Sequence, residues 1–283
     1  MFSPGCGGIG ASLMSSEHTD FLHTTLGRTG QRVFRLGLGA LYRPGERAVR
    51  EGIEAGMNFL LWHFTNPQMT RALREVLPGQ REKVVIAAAC TNLGEWFVHR
   101  AVESALRRLR TDYVDVFLIS WVGAGKLRPR SVEILQRYRE QGKIRHIGIS
   151  THERKYAGEL VRQGLLDVLM MRYNAAHRCA EQDIFPHLAG SNPGVVSYTA
   201  TRWTYLLRRP RGWPENGRIP TAGECYRFVL SNPNVHVCFT APTNCAQLRE
   251  NLAAVARGPL QEEDMEFMRR FGDAVHAAQR WFL

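Results

Sequence analysis

His63 lies in an aromatic run, MNFLLWHFTNP from Met57 to Pro67, as the first titratable group after an apolar segment. An imidazole exchanges protons near neutral pH, so His63 could donate to a developing alkoxide or amine, or could simply pack between Trp62 and Phe64. Cys90 ends VVIAAAC and would be a nucleophile beside a cation, an inert thiol if buried without one. Ser120 and Trp121 close VDVFLISW, where the serine could orient a substrate oxygen but is no strong acid by itself. Ser150, Thr151 and His152, then Arg172 to Asn174 with His177, then Tyr198 to Trp203, and last Thr240 to Asn244 each follow a β-rich run. Several of these are metal-ligand types, yet no CxxC or His-x-x-x-His pair sets two of them on one element, and no metal is expected. The series is rich in aromatic, hydroxyl and imidazole groups and poor in acids, which suits a flat or partly apolar small molecule with Trp62, Cys90, Trp121 and Trp203 among its walls.

The elements that must gather these residues are β-rich runs alternating with amphipathic helical stretches from about Phe34 onward. FRLGLGA precedes RAVREGIEAG, MNFLL precedes PQMTRALREVL, KVVIAAA precedes FVHRAVESALRRLR, and YVDVFLIS precedes SVEILQRYREQG. IRHIGIS, LDVLMMRYN, GVVSYT and VHVCFTA continue the series, each with its own helical partner, AEQDIFPHLAG following the second of them. Eight such units predict a closed (β/α)8 barrel of the TIM type, in which the residues following the strands share one rim. The final QEEDMEFMRRFGDAVHAAQRWFL reads as an extra C-terminal helix, residues 1–22 as a flexible Gly/Ser-rich extension, and 23–283 as one domain. Trp203, Tyr205 and Trp213, in the long loop after Tyr198, could form a lid or an ordered surface loop.

With 283 residues and 44% hydrophobic content, the chain can bury one large core. Its 37 Lys and Arg against 26 Asp and Glu give +11, but much of the arginine lies on helical stretches and reads as a solvated face. No nucleic-acid motif accompanies that charge, so no nucleic-acid partner is expected. The dispersed cysteines suit a reduced, cytoplasmic protein, and no apolar run reaches the roughly eighteen residues that span a bilayer. Oligomeric state is not legible.

Several blocks resemble the aldo-keto reductases, NAD(P)H-dependent barrel enzymes. RTGQRVFRLGLGA resembles their N-terminal hairpin and first strand, SALRRLRTDYVDVFLISW their third helix and fourth strand, GKIRHIGIS their fifth strand, RYNAAHR the end of the sixth, and QLRENLAAV the helix that holds the adenosine phosphate. The resemblance runs from about Leu26 to Arg257 and implies the same barrel. It also implies a catalytic Asp, Tyr, Lys and His, and here the chain departs: Leu61 stands at the aspartate, Ala89 at the lysine, Ser120 at the histidine, and either His63 or Asn66 at the tyrosine. A phenol with a pKa near 10 needs a nearby cation to act as an acid at neutral pH, so the family's ordinary carbonyl reduction should be crippled.

The same resemblance implies an NADP or NAD site. Ser150, Thr151 and Met170 stand where the family holds the carboxamide, Asn174 at the adjoining corner, and Tyr198 where nicotinamide stacks. Thr199, Thr201 and Arg202 would meet the pyrophosphate, Thr243 and Asn244 would open an anion-cradling helix, and Gln247, Glu250 and Asn251 match the adenosine side. The expected function is an oxidoreductase acting on a polarised carbonyl, iminium or enone of a planar small molecule, with His63 and Ser120 as catalytic groups. The alternatives are a cofactor-independent isomerase, lyase or cyclase, and a non-catalytic ligand-binding protein.

Overall fold

The structure, a computed structural model, describes residues 20–40, 43–123 and 127–278. Strands β1 (His23–Thr25) and β2 (Arg32–Phe34) pair antiparallel as the expected hairpin. Then follow β3 (Leu36–Gly39), α1 (Glu46–Glu54), β4 (Phe59–Trp62), α2 (Pro67–Gln80), β5 (Val85–Thr91), α3 (Glu95–Leu109), β6 (Val114–Ser120) and α4 (Pro129–Glu140). The second half runs β7 (Ile144–Thr151), α5 (Arg154–Arg162), β8 (Val168–Arg172), the short α6 (Ala180–Asp183) and α7 (Leu188–Ser191), β9 (Gly194–Tyr198), α8 (Ala222–Leu230), β10 (Val237–Thr240), α9 (Cys245–Val255) and α10 (Glu262–Ala278). Strands β3 to β10 are parallel and close on themselves, β10 pairing with β3, so the (β/α)8 barrel has no free edge.

Side-chain alternation along each strand divides the core in two. One cluster fills the lumen, with Phe59 and Leu61 from β4, Val85 and Ala87 from β5, Val116 and Leu118 from β6, and Met170 from β8. The other lies between sheet and helices and takes the alternate residues, including Leu60, Trp62, Ile86, Ala88 and Cys90. Leu26 and Val33 of the hairpin region belong to the lumen cluster, so the hairpin plugs the end of the barrel where the strands begin. Gly27 makes that plug fit: its φ is +47°, and a Cβ there would lie 2.5 Å from backbone atoms of Asn192 and Gly194.

At the same end, buried Asp115 takes a hydrogen bond from the Ile86 amide at 2.8 Å and an ion pair from Arg81 at 2.8 Å. These contacts brace the end where the strands begin, and in a barrel of this kind chemistry belongs to the opposite rim. Two expectations change. The stretch AEQDIFPHLAG is not one helix but α6, a 3-10 turn over Phe185–His187 and α7, because Pro186 cannot donate to a continuing helix. Residues 1–19 of the proposed extension, and 279–283 of the last helix, lie outside the described residues, while Asp20 is tied by its carboxylate to Arg32 and His23. No described helix is long and apolar enough to cross a membrane.

Candidate active site

The rim is built by strand parity and register. On β4, β6 and β8 the inward series ends at Leu61, Ser120 and Arg172, on β5 it runs through Ala89 to Thr91, and the same parity carries His63 past the end of β4 on the lumen side. Register sets Ser120 beside Ser150, Ser150 beside Met170, and Arg172 beside Tyr198. The chain thus brings two hydroxyls, a thioether, a guanidinium and a phenol together around an apolar floor. Leu61 and Ala89 put neither carboxylate nor ammonium into it.

His63 is held by a local turn: its Nδ1 lies 2.7 Å from Thr65 Oγ1 and accepts from the Thr65 amide at 3.4 Å. A backbone N–H only donates, so the neutral ring carries its proton on Nε2. Burial holds the His63 pKa below its ordinary value, which keeps the imidazole neutral at pH 7. Asn66, the other candidate for the tyrosine position, is fully buried and caps α2 by accepting from Met69 N at 2.9 Å, with Pro67 at the first helical position. His63 therefore remains as the polar group at this part of the rim.

Trp62 and Cys90, expected as pocket walls, are corrected by parity. Trp62 packs outward beneath α2 with its indole N–H donating to Thr70 Oγ1 at 2.9 Å. Cys90 also faces the helices, and burial pushes its thiol up to about 12, so it is an inert core residue. Trp121 does stand on the rim, 71% exposed and in the left-handed region at φ +60°. Its ring lies 5.3 Å from His152, which meets Tyr198 edge-on at 5.6 Å. The Tyr198 hydroxyl is 3.1 Å from His152 Nδ1 and 3.4 Å from the Thr151 carbonyl, and burial raises the phenol pKa despite nearby Arg172. His152 and Arg172 stood among the strand-end candidates, but the pairing of His152 with Tyr198 and the inward direction of Arg172 were not read; counting parity from Val168 through Met170 turns Arg172 inward.

The cofactor candidates divide. Ser150 sits on the lumen face, buried. Thr151 faces away, its hydroxyl donating to Val122 O at 2.6 Å and accepting from Glu153 N at 2.9 Å. Asn174 is fully buried and braces the rim by donating to Thr199 O at 2.8 Å and accepting from Ala176 N at 3.0 Å. The turn after β9 holds Thr199, Arg202, Trp203 and Thr204 at positive φ, about 1 kcal/mol of strain at each. That turn changes the role of Arg202, which was expected to meet pyrophosphate: it is 1% exposed and donates to Val275 O of α10 at 2.9 Å. Thr201 is half-buried and Trp203 is 37% exposed on the same turn. Trp213 forms no lid, because its ring packs edge-on against Phe271 of α10 at 4.9 Å.

On the adenosine side, Asn244 caps α9 by accepting from Gln247 N at 2.9 Å, and Gln247 Oε1 accepts from Thr243 N at 2.9 Å and Thr243 Oγ1 at 3.0 Å. This reciprocal cap uses two of the donors that were expected to cradle an anion. Gln247 and Glu250 are exposed, whereas Asn251 is buried and donates to Thr240 Oγ1 at 3.1 Å. The nearby cations Arg47 and Arg249 are both paired with Glu51. Among the described residues, no three of His, Cys, Asp or Glu form a set that could hold a metal.

Comparison with known proteins gives a consistent answer. The model of the aldo/keto reductase family matches residues 65–211. The chain is 24% identical over 279 residues to L-galactose dehydrogenase of Arabidopsis thaliana, covering 81% of this chain and 86% of that protein. It is 24% identical over 324 residues to the NADH-specific methylglyoxal reductase of Escherichia coli, covering 88% and 98%. Among solved structures, an aldo-keto reductase of Bacillus halodurans in its holo form superposes with a TM-score of 0.74 at 22% identity, covering 88% of this chain and 95% of that one. One of Klebsiella pneumoniae, in complex with NADP and acetate, superposes with a TM-score of 0.72 at 23% identity, covering 89% and 95%.

Proposed function

Because the chain belongs to the aldo/keto reductase family of oxidoreductases, we propose that its rim is a nicotinamide-dependent site in which Leu61, His63, Ala89 and Ser120 replace the family's catalytic tetrad. The observation that carries this reading is the Tyr198 ring, set at the rim beside an apolar floor with the hydroxyls of Ser150 and Ser120 in adjacent register. Tyr198 offers an aromatic face for a nicotinamide ring, Ser150 a hydroxyl for its carboxamide, and Thr201, Thr243, Gln247 and Glu250 lie toward the sugar and phosphate end. NAD(H) or NADP(H), when bound, supplies the hydride.

The chain's own groups do the rest. Tyr198 acts as a platform, since burial raises its pKa and its hydroxyl is engaged near His152 and Thr151. Leu61, Ala89, Leu118 and Met170 keep water from the reacting carbon. Ser120 orients the substrate oxygen or nitrogen; for a carbonyl or enone the imidazolium form of His63, the minor form at pH 7, delivers the Nε2 proton and returns to the neutral ring, whereas an iminium becomes the amine on hydride addition alone. A proton donor without a tuning cation is weaker than the family's phenol, so the substrate is one already polarised: an iminium, an enone, or a carbonyl activated by a second one. Methylglyoxal, named for the Escherichia coli relative, is of the last kind.

The inward commitment of Arg202 and Asn251 favours a second reading, a cofactor-independent isomerase, lyase or cyclase, or a non-catalytic binder, with a planar ligand lying directly on Tyr198. Titration separates the two. NADH or NADPH should quench tryptophan fluorescence and raise the melting temperature; if neither cofactor does either, the oxidoreductase reading is abandoned.

A further inference from the structure

A cavity of about 320 Å³ lies beside the rim, between the ends of β7 and β8, the loop that follows β8, and α10. Its size is at the low end of small-molecule sites, which run from about 300 Å³. Arg154, Arg172 and Arg178 line it, with His152, His177 and His276. Two carboxylates also reach it, but both are engaged: Asp273 accepts from Arg178 at 2.7 Å, and Glu181 accepts from the Tyr173 hydroxyl at 2.5 Å. Arg154 is held by Asp183 at 3.1 Å. Arg154 and Arg178 are thus held in place by carboxylates, Asp183 behind the lining and Asp273 within it, and Arg172 reaches the cavity from the rim itself.

The lining sets three guanidiniums against two carboxylates. Burial together with Arg172, Arg202, His276 and Arg154 depresses His177 to about 3. His177 Nε2 is buried without a hydrogen-bond partner among the described residues. A buried polar nitrogen in that state costs about 1–3 kcal/mol unless something bonds to it. An anion would meet both needs, the positive potential and the orphaned nitrogen.

We propose that this cavity binds the carboxylate of the substrate, so that the oxidoreductase acts on a small organic acid whose carbonyl, iminium or enone end turns into the lumen. The substrate class rests on the proposed function; the anion site does not. Arg172 is the hinge of the arrangement, because it stands beside Tyr198 in register and also lines the cavity. The apolar rim then faces the body of the substrate and the guanidiniums its acidic end.

Calorimetric titration of the cofactor-free protein with benzoate and its neutral isostere benzamide tests this, with NADH titrated in parallel. Benzoate should bind saturably and benzamide at least tenfold more weakly. Arg172→Gln should weaken benzoate at least tenfold. His276→Glu, at an exposed position of α10, should do so as well without altering any lumen residue, and keeps the test decisive if Arg172→Gln does not fold. Equal affinity for the two probes, no benzoate binding, or unchanged benzoate affinity in His276→Glu overturns the proposal. Tighter, competitive binding of inorganic phosphate also overturns the carboxylate assignment. Benzoate binding without NADH binding would instead remove the hydride reading and leave the anion site standing.

Discussion

Replacing His63 by glutamine separates proton delivery from hydrogen bonding. In the native ring Nδ1 receives the Thr65 amide, and burial, which disfavours the charged form, holds the imidazole pKa below 6.5. At pH 7 fewer than about one ring in four is then the imidazolium, and kcat/KM should fall as pH rises through that lowered pKa and level off below it. Glutamine keeps an N–H near the Nε2 position but cannot release its proton. If His63 delivers the proton, His63→Gln should lose about 10²- to 10⁴-fold in kcat/KM, roughly 3–5 kcal/mol of barrier, together with the pH limb. If His63 only donates a hydrogen bond, the loss is about 1 kcal/mol, or some fivefold. His63→Asn, whose carbonyl can still take the Thr65 amide, controls for collapse of the turn. The assay is NADH and NADPH oxidation with methylglyoxal and a conjugated enone, whose products need a proton, across pH 5 to 8. A loss below about tenfold in His63→Gln with the pH profile intact refutes His63 as the acid.

Cys90→Ala should leave turnover unchanged, and at pH 7.5 native Cys90 should resist iodoacetamide while exposed Cys179 reacts; with a pKa of about 12 its thiolate fraction is roughly 10⁻⁴ or less, readable by mass spectrometry. Asp115→Asn breaks a buried pair and leaves Arg81 uncompensated, which should cost about 3 kcal/mol and lower the melting temperature by on the order of 5 °C. His236 accepts the Val195 amide on Nδ1, and burial with Arg35 holds it at about 4. The unfolded chain therefore takes up this proton first, so stability is full above about 6.5 and declines by on the order of 3 kcal/mol as pH falls to about 4. Urea midpoints should follow that course, and His236→Asn should flatten it. The capped loop from Thr243 to Gln247 carries no cation for a 2'-phosphate, so NADH should bind at least as tightly as NADPH in a fluorescence titration.

How much of this was legible in the sequence depended on the length scale of the cause. Strand and helix periods are local, so the eight units and the order of the rim could be counted, and Leu61, Ala89 and Ser120 could be placed at its strand ends directly. Side-chain direction is also local, yet it was lost at Trp62 and Cys90, where nearness to the strand end was taken as nearness to the lumen; one residue of parity sends each to the helical layer. Arg202 and Asn251 went astray for another reason. Their partners, Val275 and Thr240, are separated from them by 73 and 11 residues, and nothing local announces them. The pairing of Tyr198 with His152, 46 residues apart, and the convergence of Arg154, Arg172 and His276 on one cavity are likewise products of closure and are visible only in three dimensions.

Whether the rim is a hydride-transfer site is decided by a crystal structure of the protein soaked with NADH. Density for the nicotinamide is expected against the face of the Tyr198 ring, with its carboxamide at Ser150 and the adenosine end toward Gln247 and Glu250. Saturating cofactor that leaves the Tyr198 face empty, or a non-nucleotide ligand carried over from expression lying there instead, would contradict it.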